Sequence, residues 1–141
     1  SACNGSVRGK NIAILGLSFK ANTDDIRESP SLTLIDALLA AGAIITAYDP
    51  VAINNTKNHF GPQPNLKYAA NIKQCISDAH ALVLITDWDE FRSLKANDLQ
   101  VMLRPYDAQS PAVVVDLRNL YSLDYFKDLD IRYVSIGRPR C

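Results

Sequence analysis

The sequence predicts an α/β fold: a doubly wound parallel sheet of about six strands, in the order 3-2-1-4-5-6, with helices on both faces. Three observations lead there. Short β-branched or apolar runs alternate with longer segments of helical periodicity along all 141 residues, which is the pattern of parallel strands joined by helical crossovers. Right-handed crossovers between successive parallel strands make the doubly wound sheet the economical topology. The first apolar run empties at Gly16 into a loop that reaches Ser29-Pro30, a helix-start pair.

The strands read from the apolar runs are Asn11 to Leu15, Ile44 to Tyr48, Leu66 to Tyr68, Ala81 to Thr86, Ala112 to Asp116 and Ile131 to Ser135. The best-defined helix lies between the first two. Leu32, Leu34, Ile35, Leu38 and Leu39 recur at helical spacing, Ser29 is placed to cap, Pro30 occupies the first helical position, and Gly42 stops the helix. Shorter helices are expected over Ala52 to His59, Asn71 to Ser77, Asp89 to Leu94 with a continuation toward Met102, and Leu123 to Lys127. Residues 1 to 9 read as a flexible lead-in and 10 to 141 as one domain, with no internal repeat or low-complexity tract.

Composition narrows the function classes. Fifteen basic residues balance fifteen acidic ones, so the global field gives no reason to expect the phosphate-backbone attraction of a nucleic-acid binder, and any anion site must be local. No apolar run approaches the roughly 18 residues a membrane span needs, and SACNGSVRGK lacks the apolar core of a signal peptide. The expectation is a soluble, cytoplasmic protein. Cys3, Cys75 and Cys141 are odd in number, with no CxxC and no histidine at ligand spacing. They read as reduced, unpaired thiols rather than a disulfide framework or a zinc site.

In the expected strand order the switch point lies between the first and fourth strands, and ligands of such sheets bind outside the carboxyl ends of the strands at that crevice. The residues to watch are the loop from Gly16 to Ser29, the TDWDEF segment at 86 to 91, and Asp116-Leu117-Arg118-Asn119. Lys20 is a flexible point charge and Arg27 a planar fork able to grip two oxygens. Beside a helix N-terminus the two make a site for a phosphate-bearing ligand. The alternative is that Arg27 pairs with Asp24, Asp25 or Glu28, and that Lys20 is merely solvated. Arg118 follows the buried-looking run VVVD and faces the same crevice, unless it bridges to Asp116 or Asp124.

The other candidates read as structural. GLSFK holds one glycine, not the GxGxxG that closes a helix end on a dinucleotide pyrophosphate, so a self-sufficient NAD site is not expected. Asp49 sits where a ribose-binding acid would, but Pro50 follows it and turn formation is the better reading. Asp24 and Asp25 lack the further ligands a Mg²⁺ site needs. Trp88 reads as packing, His80 as structural, and Cys75 as a small core residue. No nucleophile, base and oxyanion hole assemble, so no catalytic residue and no metal site are assigned.

The same loops carry a resemblance. GLSFKANTDDIRESPSLTLIDALLAAGA, followed by AYDP, ALVLITDWDEF and VVVDLRN, closely resembles the C-terminal domain of the UDP-glucose/GDP-mannose dehydrogenase family, over about Gly9 to Gly137. The resemblance implies a Rossmann-like, nucleotide-sugar-binding fragment of a larger NAD-dependent enzyme. In that family an N-terminal domain binds NAD and a central helical segment mediates dimerisation. The family oxidises the sugar C6 alcohol to a carboxylate in two hydride transfers through a cysteine-bound intermediate. UDP-glucose, with UDP-glucuronate as product, is the first expectation; a UDP-N-acetylhexosamine, GDP-mannose, and a non-catalytic nucleotide-binding or assembly module stay open.

Neither the dinucleotide fingerprint nor the catalytic-cysteine segment is present, and Cys75 is in the wrong context, so the chain alone is expected to be inactive. Carried over by position, Phe19, Lys20 and Arg118 match residues that contact the nucleotide-sugar, and Arg27 matches an arginine that reaches across the interdomain cleft to NAD. The implied partners are the UDP-sugar and the NAD-binding and central helical domains of the same polypeptide, in a parent enzyme that is a homodimer or larger.

Overall fold

A computed structural model describes residues 6–135. Six strands form one parallel sheet: β1 (Asn11–Leu15), β2 (Ile44–Tyr48), β3 (Leu66–Tyr68), β4 (Ala81–Leu84), β5 (Ala112–Asp116) and β6 (Ile131–Ser135), ordered β3-β2-β1-β4-β5-β6. β1 pairs with β2 from Asn11↔Ile44 to Leu15↔Tyr48 and with β4 from Ile12↔Ala81 to Leu15↔Leu84. The chain therefore reverses its direction of travel across the sheet between β1 and β4, as expected. Those central strands are buried almost throughout, whereas β2 and β5 alternate, because only the middle of the sheet is covered on both faces.

Crossover handedness assigns the helices. α1 (Pro30–Ala40) and α2 (Ile53–Phe60) cover one face over β1 to β3; Ile35 packs there with Ile12, Ile14, Ile45, Ala47, Leu66 and Val83. α3 (Ile72–Ile76), α4 (Asp89–Arg92) and α5 (Ala96–Met102) cover the other face. There Cys75, Ile76, Phe91 and Leu99 meet Ala13, Leu15, Leu82, Leu84 and Val114. α1 starts as anticipated. Ser29 accepts the Ser31 N–H at its side chain, Pro30 follows, and the helix ends at Ala41 with Gly42 at φ +89° and its N–H on the Leu39 carbonyl.

Three expectations need correction. β4 ends at Leu84 rather than Thr86, because Ile85 still donates to Leu15 while Thr86 turns its hydroxyl to the Ser18 carbonyl. The helix expected to run from Asp89 toward Met102 is two helices. Its break at residues 93–95 is pinned by the Tyr125 hydroxyl donating to the Leu94 carbonyl, and Ser93 turns its own hydroxyl back to Asp89. The segment from Leu123 to Lys127 is a run of turns and no helix. Its bonds, Tyr125 to Ser122, Lys127 to Asp124 and Leu129 to Phe126, skip alternate residues. Asp128 at φ +67° then ends them, and Tyr121 and Phe126 are drawn into the core instead. Cys3 and Cys141 lie outside the described residues; Cys75 is buried and unbridged.

Candidate functional site

The carboxyl ends of β1, β4 and β5 bring three loops together. After β1 the chain turns at Gly16, whose φ is +101° and whose absent Cβ would lie 2.5 Å from the Thr86 amide nitrogen and hydroxyl. Only glycine lets the first and fourth strands open at this point. Thr86 then ties the two loops by donating to the Ser18 carbonyl at 2.9 Å.

Two buried carboxylates organise the rim, and neither role was foreseen. Asp49, at the end of β2, is 2% exposed and its oxygens are saturated. One accepts from the Leu17 N–H, the Ser18 N–H and the Ser18 hydroxyl; the other accepts from the N–H groups of Val51 and Ala52. The expected Asp-Pro turn is thus also a clamp on the β1 loop. No oxygen of Asp49 remains for ribose hydroxyls, so this β1-α1-β2 unit does not fit NAD. Asp116 does the equivalent after β5, accepting from the N–H groups of Arg118, Leu120 and Tyr121 and from the Tyr133 hydroxyl. The sequence signal for both is similar: an aspartate at or just past the end of a strand and followed by a turn.

On this frame Phe19 and Lys20 project outward. Phe19 is half exposed, at 49%, while its N–H bonds the Asp25 carbonyl, and the one Ser18 hydroxyl hydrogen is shared between Asp49 and the Lys20 carbonyl. Lys20 makes no ion pair among the described residues, although its charge helps hold the Asp25 carboxyl below its ordinary range. The larger cause of that shift is Arg27, which grips both Asp25 oxygens at 3.0 Å. The Arg27 guanidinium is 86% exposed, so one of its expected intramolecular partners is realised while the ion remains open to solvent. Beside it lies an open depression of about 560 Å³ between residues 24–27 and the Asn55, Asn58 and His59 side of α2. Neither Lys20 nor Arg118 lines it.

Arg118 reaches back toward β4. Its guanidinium is 3.4 Å from the Ile85 carbonyl and 3.4 Å from an Asp87 carboxylate oxygen, about one-third exposed. The alternative of a bridge to Asp116 or Asp124 is not the one realised: the side chain pairs with Asp87, and of Arg118 only the backbone N–H reaches Asp116. The reason is the sheet order, which places the β4 loop beside that of β5. The helix end also departs from expectation as an anion cradle. Pro30 has no N–H, Ser31 donates to the Ser29 hydroxyl and Leu32 to the Ser29 carbonyl. An anion at this rim would meet side chains rather than the end of α1.

The remaining candidates are structural. Cys75 is 2% exposed, its thiol lies near the Ile14 and Thr46 carbonyls, and burial pushes its pKa up to about 12. His80 places Nδ1 3.2 Å from the Arg104 carbonyl and stacks edge-on with Tyr106. Among the described residues no three His, Cys, Asp or Glu side chains converge as metal ligands, and no helix is long and apolar enough to cross a membrane.

A parallel six-stranded sheet in this order, with flexible and forked cations on loops at its switch point, defines a Rossmann-like nucleotide-binding class of domain. Comparison with known proteins narrows the class. Residues 13–123 match the model of the UDP-glucose/GDP-mannose dehydrogenase family, UDP binding domain, and the chain belongs to that family. It is 40% identical over 139 residues to the UDP-glucose 6-dehydrogenase of Rhizobium meliloti (strain 1021), covering 99% of this chain and 30% of that protein. It is 39% identical to UDP-glucose 6-dehydrogenase YwqF of Bacillus subtilis (strain 168), covering 95% of the chain and 29% of that protein. Among solved structures, an NDP-N-acetyl-D-galactosaminuronic acid dehydrogenase from Methanosarcina mazei Go1 superposes with a TM-score of 0.75 at 28% identity, over 94% of this chain and 26% of that one. A UDP-glucose dehydrogenase from Pyrobaculum islandicum gives 0.68 at 26% identity, over 92% and 26%. The chain spans less than a third of the length of each of these relatives.

Proposed function

We propose that this chain is the UDP-sugar-holding domain of an NAD-dependent dehydrogenase that oxidises UDP-glucose to UDP-glucuronate in two hydride transfers. One observation carries the reading: Asp49 and Thr86 clamp Leu17 and Ser18 at the switch point, and Phe19 and Lys20, which follow directly, stay exposed. A rigid frame presenting an unpaired ammonium and an aromatic side chain suits a diphosphate joined to a base. Arg118, one loop away, supplies a guanidinium to the same nucleotide-sugar. Arg27 stands further out, gripped only by an exposed carboxylate that it can exchange for the phosphates of NAD held by another part of the enzyme. Binding, orientation and charge neutralisation are this domain's share; the hydride acceptor and the nucleophile belong to the rest of the polypeptide. The names of its relatives support this assignment.

Calorimetry or ligand-observed NMR with UDP, GDP and NADH tests it. UDP should bind measurably but weakly, because half of the site and its preorganisation lie elsewhere. Lys20→Ala should weaken UDP binding more than Arg27→Ala does. Preference for GDP overturns the base assignment, equal losses contradict the division of labour, and silence toward all three ligands refutes the binding role.

A further inference from the structure

Half of one sheet face has no covering element. α1 and α2 lie over β1 to β3, while every connection after β3 crosses the opposite face. That leaves Val113 and Val115 of β5 as the floor of a groove of about 240 Å³, bordered by Ala81 and Val83 of β4, where α1 still covers Val83. Leu34 and Leu38 of α1 form one wall, and Tyr106, 47% exposed, closes one end. Val113 and Val115 would be fully buried in a sheet covered on both faces; here they are only half-buried. The groove touches the switch-point loops only at Leu117, and none of the cations assigned there lines it.

Its charge is one-sided. Lys10 and Arg132 line it and no Asp or Glu does. A second copy meeting the same face about a two-fold axis would oppose cation to cation, which disfavours self-association through this surface. The occupant it suits has an apolar stripe with carboxylates at its margin. The five residues of β5 at about 3.3 Å per residue span roughly 16 Å, which a helix of about 11 residues matches.

We propose that this groove receives an amphipathic helix of about three turns, apolar on one side and flanked by Asp or Glu, from the remainder of the longer polypeptide. The inference rests on the reading of the chain as one domain of a larger enzyme, since about 30% of the length of its first relative is all it covers. Docking there fixes the domain through the uncovered part of this sheet face, leaving the loops at the carboxyl ends of the strands free to face the other half of the active site.

Cysteine accessibility tests this. In proteins with Cys3 and Cys141 replaced by serine, Val113→Cys and Val115→Cys are labelled with a maleimide in the 141-residue chain and in the longer polypeptide. Val101→Cys, at a position 83% exposed on α5, normalises the rates. Labelling in the longer polypeptide should be at least tenfold slower at both groove positions, and Lys10→Glu with Arg132→Glu should recover at least threefold of it. Should the strand variants fail to fold, Leu38→Cys on α1 reads the same wall. Equal rates in the two forms overturn the inference, as does a chain that occurs only as these 141 residues. Protection that rises with the concentration of the short chain assigns the face to a second copy and also overturns it. UDP binding measured on the same samples reports on the nucleotide reading separately.

Discussion

Replacing Asp49 by asparagine probes the frame of the site without changing its shape. The carboxylate accepts five hydrogen bonds at 2.8 to 3.2 Å, three on one oxygen and two on the other, and is 2% exposed. Whichever position becomes the amide nitrogen, a donor then faces two or three donors. Bonds to a buried charged acceptor contribute about 1.5–3 kcal/mol each, and a stranded buried donor costs about 1–3 kcal/mol. Losing two, with partial relaxation of a turn at the surface, comes to about 3–5 kcal/mol. For a domain of this size, at about 3 °C per kcal/mol, the melting temperature should fall by roughly 10–15 °C. Urea unfolding gives the free energy and calorimetric titration with UDP the functional loss. Asp25→Asn is the control: it also neutralises an aspartate of the same region, but one whose partner Arg27 is open to solvent, and should leave the urea midpoint essentially unchanged. A loss below about 1 kcal/mol for Asp49→Asn, or one equal to the control, would refute the clamp.

Gly16→Ala should cost about 3–5 kcal/mol in urea unfolding, since a methyl group there meets Thr86 at 2.5 Å in a left-handed backbone. Thr86→Ala in the same chain should not rescue it, because the Thr86 amide nitrogen is as close as the hydroxyl. Cys75 should resist a thiol reagent such as dithionitrobenzoate at pH 8 in the folded chain and react at once in denaturant, since burial raises its pKa from 9.0 to about 12. A thiol whose folded pKa is raised contributes stability below pH 9 that is lost as pH climbs toward 12. The alkaline decline in unfolding free energy should therefore be shallower in Cys75→Ala.

The order of the strands and five of their six spans were legible because periodicity, chain length between strands and crossover handedness are all local or nearly local constraints. α1 was legible down to its capping serine for the same reason: Ser29, Pro30 and Gly42 each act within one turn of themselves. The segment at Leu123 to Lys127 misled because its helical composition is short, and burial of Tyr121 and Phe126 outweighs one turn of helix. The break between α4 and α5 was invisible because Tyr125, some thirty residues later, sets it.

The sequence by itself determined which loops carry the candidate cations, because Lys20, Arg27 and Arg118 each follow the end of a strand or precede the helix it feeds. Only the tertiary structure decided what each cation meets. Arg118 turns to Asp87 because β5 lies beside β4, Arg27 closes on Asp25 within its own loop, and Lys20 is left without an ion pair among the described residues. The aspartates at the ends of β2 and β5 became clamps for a related reason: Asp49 takes two N–H groups from the distant β1 loop, and Asp116, beside the amides of its own turn, takes the Tyr133 hydroxyl from β6. A carboxylate's partners depend on which amides the fold delivers to it, and that information is spread across the chain.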